Sequence, residues 1–494
     1  MAATFDAHLA ELARETAGAV ALEDVTGRLT YAELEARVDR MAADLAGLGL
    51  GTEARVVLIA ENSVAHLATA FAIWRAGATL VTVYPSSSAA EFEYALAHSR
   101  PALVVAGESV LLAVGPVARQ LALPLLALDT AGEIDGLRDV EPRLPPAVDP
   151  DGLALICYTS GSTARPKAVM HSHRGLLAAA RAYAAVWHLG AADINLVSMP
   201  LAWAFGLVTT SMATMSAGGR VILFARSDPH ALLAGLAAHG VTFFAGVTTM
   251  FVRMVETIEH DPDAPRPHSL RLCISGGEPR NEAVFERWHE LTGCPVHDVY
   301  AASECFPVVT YDPTVDPLPR PGGAGRVVPE AQLRITDTGE AWVRGPALMV
   351  GYWDDTAMTE SALTDDGWYR TGDLVELDDD GYVRVLGRLS DVIIRAGANV
   401  SPAEVEAVLI RHPHVGEAGV VGLPDPVNGE EVVAAVVART GIGTVDVGDL
   451  DAHCATALAR YKRPRIVVVA DLPRNATGKV NRRQLKALLA EGNR

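Results

Sequence analysis

Short apolar runs recur along the chain, and the stretches between them carry hydrophobic residues at helical spacing. Residues 54–60 form one such run, 65–76 repeat with a helical period, and 78–84 form the next run. Residues 102–106, 153–157, 220–225, 241–247 and 296–300 extend the series. Apolar runs of this length, alternating with amphipathic helices, predict α/β layers with mainly parallel sheets. The pattern shows no repeat of fixed period and no low-complexity segment.

The pattern changes near residue 380. Residues 375–377 and 382–386 read as two strands joined by the acidic turn Asp378-Asp379-Asp380-Gly381. A fresh α+β pattern starts at Gly387. Residues 402–412 read as a helix with Ser401 as N-cap and Pro402 in the first helical position, followed by strands at 418–421 and 431–437. The expected division is therefore a large N-terminal α/β domain of several subdomains, residues 1–388, and a small α+β domain, residues 389–494. A chain of 494 residues is long enough to require more than one core.

Composition narrows the partners. With 41 basic and 60 acidic residues the formal net charge is −19, which disfavours nucleic acid or an anionic membrane surface. A bound anion must then be met by local positive charge, so each Lys and Arg in a motif carries more weight. The five cysteines show no CxxC spacing and read as buried, reduced thiols of a cytoplasmic protein. Asp6, Glu11, Arg14 and Glu15 break the N-terminal apolar pattern, against a signal or transit peptide. No run reaches the roughly 20 apolar residues of a membrane span.

The densest chemistry lies in Tyr158-Thr159-Ser160-Gly161-Ser162-Thr163-Ala164-Arg165-Pro166-Lys167. Small hydroxylated residues around a glycine can turn N–H groups and hydroxyls toward phosphate oxygens, and Lys167 adds charge. It is not a Walker A loop, because Pro166 stands at the second glycine and nothing hydroxylated follows Lys167. A polar surface loop between a strand and a helix is the alternative reading. Five further segments bear on the choice: Tyr300-Ala-Ala-Ser-Glu304, Tyr369-Arg-Thr-Gly-Asp-Leu374, Gly387-Arg-Leu-Ser-Asp391, the loop from Arg395 to Ser401, and Pro473-Arg-Asn-Ala-Thr-Gly-Lys479.

With the first loop these six segments, in this order, resemble the adenylate-forming superfamily of acyl-CoA synthetases, peptide-synthetase adenylation domains and luciferases. The likeness runs from about Leu29 to Arg483. It implies that Thr159, Ser160, Gly161, Ser162, Thr163 and Lys167 meet the ATP phosphates. It implies that Gly276, Gly277, Glu278, Pro279 and Tyr300 meet adenine, and that Asp373 and Arg388 meet the ribose. Glu304, beside Ser303, would hold Mg²⁺, an oxygen-loving cation that lets a carboxylate approach a triphosphate. Lys479 is the expected catalytic cation between the attacking carboxylate and the α-phosphate. The small domain would swing about Ser390 to bring the Gly397 loop to the site for a thiol.

The same resemblance puts the acid pocket at Trp203, Phe205, Gly206, Gly246, Val247, Ser275 and Cys305. These side chains are aromatic, small or neutral, with no acidic group for a substrate amine, so an aryl or short-to-medium acyl monocarboxylic acid is expected. The segment Ser275-Gly-Gly-Glu-Pro279 and Trp288 look like medium-chain and benzoate-type CoA ligases. Coenzyme A is the expected acceptor. A carrier-protein thiol acting in trans, or a nitrogen nucleophile, is the first alternative, and a homodimer is among the assemblies the resemblance admits. Ala164, Ala168 and Ala301 replace glycines usual in the family, and Ser390 replaces a usual Asp or Lys, so a silent nucleotide-binding protein is the second alternative.

Overall fold

The computed structural model describes residues 2–159, 166–439, 445–474 and 480–491. Lys479 and Ser160, Gly161, Ser162 and Thr163 of the expected phosphate loop lie outside these described residues.

Each of the apolar runs becomes a strand. Arg55–Ile59, Thr79–Thr82, Leu103–Gly107 and Leu153–Thr159 pair in parallel within one sheet of seven strands among the described residues. Arg220–Leu223, Phe243–Gly246, Leu272–Gly276 and Val296–Ala302 lie in a second, larger sheet. Helix Val64–Arg75 is buried at all twelve residues. A helix apolar all round has no face for water and must lie inside, and this one joins a core that takes residues from both sheets. Ser63 caps its N-terminus by accepting from the His66 N–H.

The expectation of mainly parallel sheets holds up to Ala302 and fails beyond it. Cys305–Thr310, Gly325–Val327, Gln332–Ile335, Glu340–Arg344, Tyr369–Leu377 and Tyr382–Arg388 add to the larger sheet as antiparallel strands. The connections from Ala302 to Cys305, Ile335 to Glu340 and Leu377 to Tyr382 are tight turns, so these neighbouring strands must reverse direction.

A 3₁₀ turn, Leu389–Asp391, follows the last of these strands. Ile393–Arg395, Ala398–Val400, Val415–Asp425, Gly429–Ala438 and Arg465–Val469 then form a separate five-stranded sheet. Helix Pro402–Ile410 packs on it with the expected Ser401 cap, donated to by the Glu404 N–H, and with Pro402 at its start. Its cores use residues from Ile393 to Leu489, while those of the large domain use residues up to Val383. The chain is thus a large α/β domain followed by a small α+β one.

Candidate active site

Three parallel strands set the floor of the site. Gly246 pairs with Ser275, and Gly276 pairs with Val299, so Phe243–Gly246, Leu272–Gly276 and Val296–Ala302 end side by side. Ligands in open α/β sheets gather at such carboxyl ends. A methyl group at Gly276 would come within 2.6 Å of Val299 Cγ1 and 3.4 Å of the Phe205 ring. The Phe205 ring therefore lies over this strand end, and only glycine leaves the gap. Gly277 follows with φ +82°, where a side chain is disfavoured.

Around this floor stand the residues expected to form the acid pocket. Phe205 opens a buried π-helical turn, Phe205–Met212, and meets Trp203 edge to face with centroids 5.3 Å apart. A Cβ at Gly206 would fall 2.4 Å from the Pro200 carbonyl oxygen, so this turn is closed to any larger residue. Val247 precedes helix Thr248–His260, and Thr248 Oγ1 lies 3.3 Å from Ser275 Oγ and donates to the Pro279 carbonyl at 2.9 Å. Cys305 is fully buried, and its thiol is pushed up to about 12 by burial and then by Glu304. All five cysteines are buried and free.

Glu278 is half-buried. Its carboxylate accepts from the Thr249 N–H at 2.8 Å and from Thr249 Oγ1 at 3.3 Å. Burial raises its pKa, opposed first by that backbone hydrogen bond and then by the Arg474 guanidinium of the small domain. Arg474 also pairs with Glu417.

Glu304 occupies the two-residue turn where Ala302 faces Cys305 across antiparallel strands. Its residue is only 8% exposed, deep for a carboxylate at a hairpin tip. Its Oε1 accepts from the Tyr352 hydroxyl at 2.8 Å, and its backbone carbonyl accepts from the Met349 N–H at 2.7 Å. The preceding carbonyl, of Ser303, accepts from His171 Nε2 at 2.7 Å. That bond fixes His171 as the Nε2–H tautomer, and burial drives its pKa down to about 4.

Asp373 is buried and directly opposite Arg388 in the ladder. Gly372 at φ +69° and a register shift after Leu374 turn this part of the strand inward. The Asp373 carboxylate accepts from the Tyr300 hydroxyl at 2.9 Å and pairs with Arg388 Nε at 3.1 Å. Tyr300 and Asp373 thus meet in one place, from segments 73 residues apart.

The phosphate loop differs from the strand-to-helix setting weighed above. Thr159 ends one strand and Lys167 starts the next, and the two are paired directly, so the loop is the tip of an antiparallel hairpin, Leu153–Thr159 with Lys167–Ser172. Ala168 and Ala301 sit within strands and outside the positive-φ region, so neither demands glycine. Ala164 lies outside the described residues.

Ser390 is exposed in the turn between the sheets and donates to Asp391 at 3.2 Å. Gly397 and Ala396 form a two-residue hairpin turn, both at positive φ, with open space beside Gly397. The residues that sequence reasoning missed are Tyr352, His171 and Thr249, which hold Glu304, Ser303 and Glu278. Tyr352 follows Gly351 and precedes Trp353, a triplet that reads as ordinary core.

Residues 9–353 match the AMP-binding enzyme family and residues 404–479 match the AMP-binding enzyme C-terminal domain. The chain belongs to the AMP-binding enzyme family. It is 32% identical to the sulfoacetate–CoA ligase of Cupriavidus necator, over 92% of each chain, and 34% identical to the feruloyl-CoA synthase of an Amycolatopsis species, over 95% of each. It superposes on ATP-bound MatB from Rhodopseudomonas palustris with a TM-score of 0.89, at 30% identity over the whole of both chains; the apo form of that protein gives 0.81.

Proposed function

We propose that the chain is an AMP-forming ligase that joins a small monocarboxylic acid, aryl or short-to-medium acyl, to coenzyme A. The observation that carries this reading is a chain of contacts: Tyr300 meets Asp373, Asp373 pairs with Arg388, and Tyr352 touches both Glu304 and Lys167 of the phosphate hairpin. In the first half-reaction the acid's carboxylate oxygen attacks the α-phosphorus of ATP. The bond from that phosphorus to the bridging oxygen breaks, and pyrophosphate leaves with an acyl-adenylate left behind. In the second, a thiolate attacks the acyl carbon, the carbon–oxygen bond to the phosphate breaks, and AMP leaves.

The chain's own groups divide this work. Asp373 accepts hydrogen bonds from the ribose hydroxyls, which requires it to release the Tyr300 hydroxyl or share an oxygen. Tyr300 and the Gly276–Gly277 backbone receive the base. Lys167 and the hairpin tip receive the phosphates. Lys479 supplies charge where it concentrates in the transition state, by position and without proton transfer. Trp203 and Phe205 wall the acid away from water. The higher superposition score with the ATP-bound relative, and the nearness of Arg474 to Glu278, support an arrangement that serves the first half-reaction.

The donor set fits Mg²⁺. Glu304 is a buried carboxylate with one oxygen held by a neutral hydroxyl, and its other oxygen makes no hydrogen bond among the described residues. When bound, Mg²⁺ would offset the triphosphate charge beside that carboxylate.

The test is ATP–pyrophosphate exchange across a panel of monocarboxylic acids, followed by mass spectrometry with coenzyme A, a phosphopantetheinyl carrier protein and simple amines. Exchange with aryl or medium acyl acids and a CoA thioester are expected. Exchange without any CoA product would move the acceptor to the carrier or the amine. No exchange with any acid would leave a nucleotide-binding protein.

A further inference from the structure

Tyr352 sits between two opposite charges that do not meet. Its hydroxyl donates to Glu304 Oε1 at 2.8 Å, while the ammonium of Lys167 lies over its ring, 5.2 Å from the centroid. Among the described residues no ion pair forms between Lys167 and Glu304. The residue is held firmly enough to act this way. Its strand, Gly351–Tyr352, pairs with Met170 and Val169 on the exit strand of the phosphate hairpin. Val350 and Trp353 donate from either side to the Met170 and Ala168 carbonyls at 2.8 Å. Met349 donates to the Glu304 carbonyl. One short segment is therefore stitched to both the hairpin and the Glu304 turn.

We infer that Tyr352 is a positioning residue that keeps Lys167 and Glu304 apart and fixes which carboxylate oxygen faces the metal–nucleotide. This inference rests on the adenylation reading. Without the phenol, a lysine and a carboxylate at this depth would collapse into a pair, and each would be lost to its own ligand. With it, Glu304 spends Oε1 on a neutral donor and keeps Oε2 for a cation. Lys167 stays on an aromatic face, from which a phosphate can draw it at small cost. The side chain thus touches neither reacting atom and acts through its two neighbours.

The test uses the full chain and reads binding. Mn²⁺ affinity is measured by electron paramagnetic resonance with a non-hydrolysable ATP analogue, beside analogue binding in EDTA. Y352F is expected to weaken Mn²⁺ about tenfold, the scale of losing a hydrogen bond to a buried charge, with metal-free binding changed less than about twofold. In an E304Q background, Y352F is expected to add less than about twofold, since its route through Glu304 is gone. Y352A is expected to lose more than Y352F, because it also removes the ring that lies between Lys167 and Glu304. Unchanged Mn²⁺ affinity in Y352F, or an equal loss in the E304Q background, overturns the inference. So does a Y352A loss no larger than that of Y352F. Pyrophosphate exchange by the wild type is run alongside. Its absence with every acid overturns the functional reading, while the Mn²⁺ series still decides the role of Tyr352.

Discussion

At the scale of single residues the proposed chemistry rests on a few charged side chains. Lys479 is the case with the sharpest consequence. It belongs to the small domain, and the reading assigns it to adenylation alone. Lys479→Ala should slow acyl-adenylate formation by roughly two orders of magnitude or more, the scale of one preorganised contact to a developing charge. It should leave conversion of supplied acyl-adenylate to thioester near wild type. Exchange activity close to wild type in this variant would remove Lys479 from the chemistry. Asp373 and Glu304 are candidates from the sequence because each lies in a segment that carries the family resemblance. Tyr352 is not, because a lone tyrosine between glycine and tryptophan is indistinguishable from core until its hydroxyl is seen on Glu304.

At the scale of elements, two short segments are proposed to govern the change between half-reactions. Ser390 lies exposed in the turn Leu389–Asp391, between the last strand of the large sheet and the first of the small one. Proline there fixes φ at about −65° and removes an N–H. Ser390→Pro is expected to slow thioester formation from acyl-adenylate at least several-fold more than exchange, as stopped-flow or quench measurements of each half would show. The Ala396–Gly397 turn is the second segment. Gly397→Trp should block a pantetheine thiol and leave exchange intact. Gly397→Asn, which tolerates positive φ, should keep both activities and so separates bulk from backbone strain. Loss of exchange in either Gly397 variant would contradict this division.

The apolar runs made most strands readable, and the Ser401–Pro402 start of the small domain's helix was equally plain. The hairpin behind the phosphate loop was not. Its second strand, Lys167–Ser172, is short, buries its residues irregularly and runs straight into helix His173–Val186. Sequence alone therefore merges the two.

At the scale of the whole molecule, three buried histidines lower stability as pH falls, against Asp298, whose pKa burial raises to about 6 and which acts the other way. His66, His171 and His173 are each depressed from 6.5 to about 4, in every case chiefly by burial. The unfolded chain takes up protons at these sites below about pH 6.5, and the folded chain resists until about pH 4. Their neutral burial therefore favours the fold fully above pH 6.5 and is lost as pH falls through that window. Urea midpoints should drop steadily between pH 6.5 and 4.5. His66→Asn, which retains a donor toward the Ala60 and Glu61 carbonyls, should make the drop shallower. An unchanged slope would show that His66 does not titrate as described.

The separation of the two cores has a practical outcome for engineering. Each hydrogen-bonded sheet and each apolar cluster lies wholly on one side of the turn at Leu389–Asp391. A chain cut there leaves all three sheets of the described residues whole. The two pieces should be expressible as separate polypeptides that regain ligase activity only when tethered to partners that meet. Such a split reporter would convert a proximity event into a thioester, with the acid supplied by the experimenter.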